Sequence, residues 1–285
     1  MIENRPVATT LSHLVLVLGV LIVAFPVYIT FVASTQTAEQ IVQNVPMSLL
    51  PGDNIVQSYR FALFGGVTEY GSRIAPVAPM MLVSLVSALV IAIGKIAISL
   101  LSTFAVVYFR FPFRSLVFWL IFITLMLPVE VRIGPTYKVV SDLGMLNSMA
   151  GLTIPLIASA TATFLFRQFF LTVPDELAEA ARIDGAGPLR FFKDVLLPLS
   201  KTSMAALFVI QFIYGWNQYL WPLLITTQES MYTTVIGIKR MIISGDALTE
   251  WHLVMATAML AMLPPVAVVV LMQRWFVRGL VETEK

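Results

Sequence analysis

The sequence predicts an all-α integral membrane protein with six transmembrane helices, on three observations. Apolar side chains make up 58% of the 285 residues and charged ones only 12%, about half the charged share of a soluble domain. Surface-to-volume scaling leaves a soluble fold of this length a large polar skin to build, and the chain lacks the residues for it. Six nearly uncharged runs each reach the roughly 20 residues that cross the hydrocarbon core. Lysine and arginine are spread unevenly between those runs, which is how a bilayer-spanning chain encodes its orientation.

Taken in order, the first run is 14–33, uncharged, with the helix-bending Pro26; the second is 80–106, broken only by Lys95. The third, 116–137, passes Pro128 into Glu130 and Arg132; the fourth is 146–166, the fifth 202–225, and the sixth 253–273, with Pro264 and Pro265 in its middle. The first run exceeds the 7–15 apolar residues of a signal peptide, so it is read as a retained span. With the N-terminus inside, the inner segments hold Arg5, Arg110, Arg114, Arg167, Arg182, Arg190, Lys193, Lys201, Arg274, Arg278 and Lys285. The outer ones hold only Arg60, Arg73, Lys138, Lys239 and Arg240. Both termini are therefore expected in the cytoplasm.

Several function classes lose support at once. There is no cysteine for a disulfide framework, and a net charge of +2 gives no ground for a nucleic-acid partner. His13 and His252 are the only histidines, both near span ends, with no zinc motif and no metal-ligand cluster. No catalytic residue is expected.

Two segments outside the spans are long enough to hold structure. The outer one, 35–78, carries turn residues at Pro46, Pro51-Gly52 and Gly65-Gly66 and reads as loop with short elements. The inner one, 168–201, is patterned. Thr172 and Asp175 suggest a capping box, and Pro174, Asp175 and Glu176 suit a first helical turn. Leu177, Ala180, Ala181 and Asp184 follow at i, i+3, i+4 and i+7 beside Ile183, and Gly185 suits a left-handed cap. Pro188 opens a second short helix striped by Leu189, Phe192, Val195 and Leu196, which Pro198 should stop. On periodicity alone this helix-turn-helix is either an amphipathic hairpin on the membrane surface or a knob whose small residues admit a partner.

Inside the spans, charge is expensive and usually functional. Glu130 and Arg132 diverge by about 200° on one helix and cannot pair with each other. Arg132 could bind a phosphate through its guanidinium fork or make an interhelical ion pair. Lys95 raises the same question: its long stem could snorkel or pair with an acidic group on a neighbour, and structural pairing is expected. In the fifth run Gln211, Tyr214 and Gln218 form a polar stripe at i, i+3 and i+7, with Asn217 beside it. The stripe suits a polyol on a translocation path or helix-to-helix hydrogen bonding. Trp216, Tyr219 and Trp221 fit an interfacial aromatic belt.

The inner segment carries a specific resemblance. Glu179-Ala180-Ala181-Arg182-Ile183-Asp184-Gly185, then nine residues, then Val195-Leu196-Leu197-Pro198, resembles the EAA loop of ATP-binding-cassette (ABC) importer permeases, departing only in Val195 for isoleucine. Phe111-Pro112, the stretch 122–132, the run 215–222 and the ending Arg278-Gly279-Leu280 are similar to the MalG-like carbohydrate permeases. Within that group, 123–132 and 158–170 most resemble the permeases of glycerol-3-phosphate importers, and the outer loop resembles them least.

The resemblance implies a single permease domain that works as a subunit. It would translocate a polyol phosphate, sn-glycerol 3-phosphate first, or another carbohydrate of the family. Its partners would be a second related permease, two ATPase subunits and a periplasmic substrate-binding protein. The coupling surface would be Glu179, Ala180, Ala181, Asp184 and Gly185 with Leu197 and Pro198, and the candidate path Arg132, Gln211, Tyr214, Asn217 and Gln218. The chain lacks the G-x-x-x-x-G-K-[ST] phosphate loop, so ATP and Mg would be bound by the partner ATPases, with no cofactor in this chain. The rival reading is a stand-alone secondary transporter, for which paired broken spans or inverted repeats would be expected.

Overall fold

An apolar run can form one continuous helix that overshoots it, even across prolines such as Pro26 and Pro264-Pro265. In the computed structural model, which describes residues 6–44, 46–68, 71, 73–123, 127, 129–243 and 249–281, this holds for three runs. They are α1 (Pro6–Thr35), α4 (Val77–Tyr108) and α15 (Trp251–Val281), each long and apolar enough to cross a membrane. Between α1 and α4 lie α2 (Ala38–Gln43), α3 (Ile55–Phe64) and the strands β1 (Gly66–Val67) and β2 (Arg73–Ile74). Arg5, Pro128 and Lys285 lie outside the described residues, as do the side chains of Glu130 and of the 278–280 ending.

The other three runs are helical but interrupted. The third run holds α5 (Arg114–Ile123) and α6 (Val129–Asp142). The fourth is α7 (Met149–Thr153), a 3-10 turn Ile154–Leu156 and α8 (Ala160–Phe170), bent by 45°. Pro155 forces that break, and Ser159 starts the next helix by accepting a hydrogen bond from the Ala162 N–H at 3.3 Å. The fifth is α12 (Lys201–Trp216) and then α13 (Leu220–Ile225). The helix stops at Trp216, with Asn217 as its cap, and restarts at Leu220, which puts Pro222 in a first turn where no backbone donor is needed. The inner segment supplies α9 (Asp175–Ile183), α10 (Pro188–Phe191) and α11 (Leu197–Leu199), and α14 (Thr234–Ile243) precedes α15.

The chain divides into two units, Met1–Pro79 with Gly237–Leu263, and Met80–Ile236 with Pro264–Lys285. In the first, the outer loop latches onto the end of α1. Gln36 Nε2 donates to the carbonyls of Ser48 and Leu50 at 3.1 and 3.2 Å, and Tyr28 donates to the Leu49 carbonyl at 2.8 Å. The Gly52 N–H donates to Thr35 Oγ1 at 2.8 Å, and a Cβ there would lie 2.7 Å from the Thr35 carbonyl oxygen, so this latch requires glycine. β1 and β2 pair antiparallel, Gly66 opposite Ile74 and Val67 opposite Arg73, a small hairpin that the all-α expectation did not include. Gly65, Gly66 and Gly71 supply the positive φ angles around it.

The second unit contains three buried clusters. The largest joins Phe104 of α4, Phe166 and Phe170 of α8, and Phe191, Phe192 and Leu196 of the inner segment. A second packs Ala88 and Ala92 of α4 on Phe212 and Trp216 of α12. A third sets Trp221 and Ile225 of α13 against Val140 and Leu152. Each fully buried large side chain contributes about 1.5–3 kcal/mol in a water-referenced scale, though between helices in lipid tight packing carries more of the gain. α5 is fixed to α8 by Arg167 over the Phe118 ring, 4.3 Å to its centroid.

Candidate functional site

The inner segment builds a rigid knob from local rules. Pro174 occupies the cap of α9 with extended backbone (φ −59°, ψ 136°), and Asp175 and Glu176 meet the positive end of the helix dipole. Thr172 is not the cap: its hydroxyl donates to the Phe169 carbonyl at 2.7 Å, which corrects the capping-box expectation. At the other end the Gly185 N–H reaches the Arg182 carbonyl at 3.0 Å and the Ala186 N–H the Ala181 carbonyl at 2.8 Å, the paired bonds of a Schellman cap. Gly185 has φ +72°, and a Cβ there would meet nothing within 4 Å. The glycine serves the backbone turn and leaves the space outside it open.

Pro198 does not stop the second helix. A π turn, Phe192–Leu196, follows α10 and shifts the hydrogen-bond register, the Leu197 N–H reaching back five residues to the Phe192 carbonyl. The chain stays helical to Leu199, with Pro198 in the first turn of α11 where no donor is missed. It then turns 71° into α12.

The two faces of the knob differ. Val173, Ala178, Ala181, Val195 and Leu197 pack inward on the aromatic cluster. There Phe104 and Phe192 ring centroids are 4.9 Å apart and Tyr108 and Phe191 5.3 Å apart, which ties the knob to α4. Glu179, Ala180, Asp184, Gly185 and Pro198 are exposed. Ile183 and Leu189 are 86% and 76% exposed, so Leu189 is not part of the inward stripe; Phe191 takes that place. All seven expected coupling residues thus lie on the helix-turn-helix segment in two groups, Glu179 to Gly185 at the first helix and its cap and Leu197 to Pro198 near the end of the second, with Ala181 and Leu197 facing inward.

A second set of polar groups lies inside the helices. Lys95 is buried in α4, 13 residues from Tyr108, about 20 Å along the axis. Its Nζ donates to Gln211 Oε1 at 3.0 Å and lies 3.6 Å from the centroid of the Tyr214 ring. The expected acidic partner is not found among the described residues: an amide and an aromatic face hold the ammonium instead. Gly215 makes this possible. A Cβ there would come 2.9 Å from Ala88 Cα, so α4 and α12 approach closely enough for Lys95 to reach Gln211.

The rest of the expected path is more dispersed. Arg132 is exposed on α6. Asn217 is exposed, its N–H bonded to the Ile213 carbonyl at 3.1 Å. Gln218 folds back to donate to the Tyr214 carbonyl at 3.2 Å. Gln211 and Tyr214 are thus joined through Lys95, whereas Asn217 and Gln218 finish the helix. The aromatic belt is corrected as well. Trp216 and Trp221 are buried, and Trp221 Nε1 donates to the Gly151 carbonyl at 3.0 Å. Sequence reading also missed Asn147, whose left-handed backbone (φ 53°) aims its amide oxygen at the Thr227 and Gln228 N–H groups, at 2.6 and 3.0 Å.

Residues 95–282, which hold both the knob and the Lys95 group, match the family described as binding-protein-dependent transport system inner membrane component. The chain belongs to this family. The permease is similar over 100% of both chains to proteins named sn-glycerol-3-phosphate transport system permease protein UgpE. Those of Brucella melitensis and Agrobacterium fabrum are 64% identical to it, and that of Yersinia enterocolitica 59%. Its fold is similar to a bacterial ABC transporter chain involved in import of the acidic polysaccharide alginate. That match has a TM-score of 0.80 at 19% identity and covers 97% of this chain and 99% of the other. The permease is therefore a membrane-embedded transport subunit of the ABC importer type.

Proposed function

We propose that this permease is one of two related permease subunits that together carry sn-glycerol 3-phosphate inward through the inner membrane. Two ATPase subunits beneath them bind ATP and Mg, and a periplasmic binding protein delivers the substrate. The identity of the whole chain to the named relatives, outer loop included, supports the substrate. The chain crosses the bilayer six times with both termini cytoplasmic, three of the spans interrupted; the excess of arginine and lysine at the inner segments supports this orientation.

The observation that carries the coupling role is the two-faced knob. Its outer face, with Glu179, Ala180, Asp184 and Gly185, seats in the ATPase surface. Its inner face is packed through Phe191 and Phe192 onto α4, so closure of the ATPases moves the helices as a body. Ala181, Leu197 and Pro198 hold the knob in shape. Arg132, Gln211, Tyr214, Asn217 and Gln218 face the path.

The test is reconstitution of the complete importer in vesicles. ATP hydrolysis should rise when binding protein loaded with sn-glycerol 3-phosphate is added, and the labelled substrate should accumulate inside. Transport by this chain alone would reject the subunit reading, and stimulation by an unphosphorylated sugar but not by glycerol 3-phosphate would reject the substrate.

A further inference from the structure

The described charges of the second unit do not balance around Lys95. Its ammonium is removed from water, and among the described residues no carboxylate pairs with it. An ammonium has three donors. One is satisfied by Gln211 Oε1, and the Tyr214 ring offers a face without a lone pair. An amide oxygen and an aromatic face compensate a positive charge less well than an anion does. The cover is also thin, because Tyr214, which lies over Nζ, is itself 36% exposed. A ligand that displaced one phenol ring would meet the ammonium directly.

We propose that Lys95 is an anion-recognising group of the translocation path: held by Gln211 and covered by Tyr214, it takes the phosphate oxygens of a phosphomonoester in transit. The inference deepens the proposed function and rests on its phosphorylated substrate. A phosphate near pH 7 brings between one and two negative charges and three acceptor oxygens, which suits a buried ammonium with donors to spare. Gln211 is a positioning residue, fixing where the ammonium waits.

The experiment uses the complete importer in vesicles, with uptake of labelled sn-glycerol 3-phosphate and ATP hydrolysis measured together. Lys95→Met keeps the stem and removes the charge; Lys95→Arg keeps the charge. Substrate imported per ATP hydrolysed should fall by about tenfold or more in K95M, the usual effect of losing a charge-assisted hydrogen bond, and K95R should restore most of it. Each measurement is made in phosphatidylcholine vesicles and again with phosphatidylglycerol added. A wild-type ratio in K95M overturns the proposal. So does an equal loss of assembled complex in K95M and K95R, which would make Lys95 a packing residue. A defect present only with phosphatidylglycerol assigns the ammonium to a lipid headgroup and overturns it too. If the unaltered importer fails to move glycerol 3-phosphate while moving another solute, the substrate reading fails first, and the inference with it.

Discussion

The knob at 175–199 packs on one end of α4 and Lys95 lies farther along that helix, and the two treat polarity in opposite ways. In the knob, aromatic side chains are buried and charges point outward, as in a water-soluble domain. At Lys95 the charge is buried and the surrounding helix surfaces are apolar and exposed. On the proposed topology, exposure means different things at the two ends of one helix, with water around the knob and lipid around the span. A charge outside is ordinary in the first case, and a charge inside is informative in the second.

The largest effects should come from the outer face of the knob. Glu179→Lys or Gly185→Val should abolish uptake and weaken retention of the ATPase subunits in affinity purification, while membrane insertion of the permease is unchanged. For Gly185→Val the φ of +72° adds about 1–2 kcal/mol of local strain. Normal uptake by both variants would break the comparison, since the exposed face would then carry no partner.

Next in size is the helix contact that brings Lys95 and Gln211 together. Gly215→Leu would drive a side chain into Ala88, an overpacking of about 1–3 kcal/mol. The amount of folded permease in detergent should fall, and ATP-coupled uptake with it. A fully stable variant would mean that α4 and α12 can separate without consequence.

A smaller change sharpens the burial side. Trp221→Phe keeps an aromatic ring but deletes the donor to the Gly151 carbonyl and part of the buried indole volume, which should lower stability by at least about 1 kcal/mol, read as a reduced melting temperature with uptake retained. The smallest belongs to a surface pair on the knob. Arg190 and Asp194, 3.4 Å apart and well exposed, should contribute less than about 0.5 kcal/mol. Arg190→Ala should melt with the unaltered chain, and a large loss would mean that this face is shielded from water.

What the sequence made legible follows from the same contrast. Span positions are written in the absence of charge, so α1, α4 and α15 were readable directly. Turn chemistry is local, so the Gly185 cap was readable too. The breaks in the fourth and fifth runs depend on how Pro155 and Pro222 are accommodated, and a proline alone does not say whether a helix bends, ends or continues, as Pro198 shows. In the candidate path, Gln211 and Tyr214 could be named from their spacing. Their joining through Lys95 could not, because it depends on the close approach at Gly215, a contact between residues more than a hundred positions apart. Trp221 was misplaced because an aromatic residue near a span end looks the same in sequence whether it faces headgroups or a neighbouring carbonyl.

The bend at Ser200 has a mechanical consequence. The chain turns 71° between α11 and α12 without leaving a backbone group idle there: the Ser200 N–H reaches the Leu196 carbonyl at 2.9 Å, and the Ser200 carbonyl accepts from the Met204 N–H at 2.8 Å. Such an elbow is stiff. On the proposed seating of the knob in the ATPases, a push on its outer face would arrive at α12 as a torque across its axis, with the knob as the handle of a crank whose shaft carries Gln211 and Tyr214.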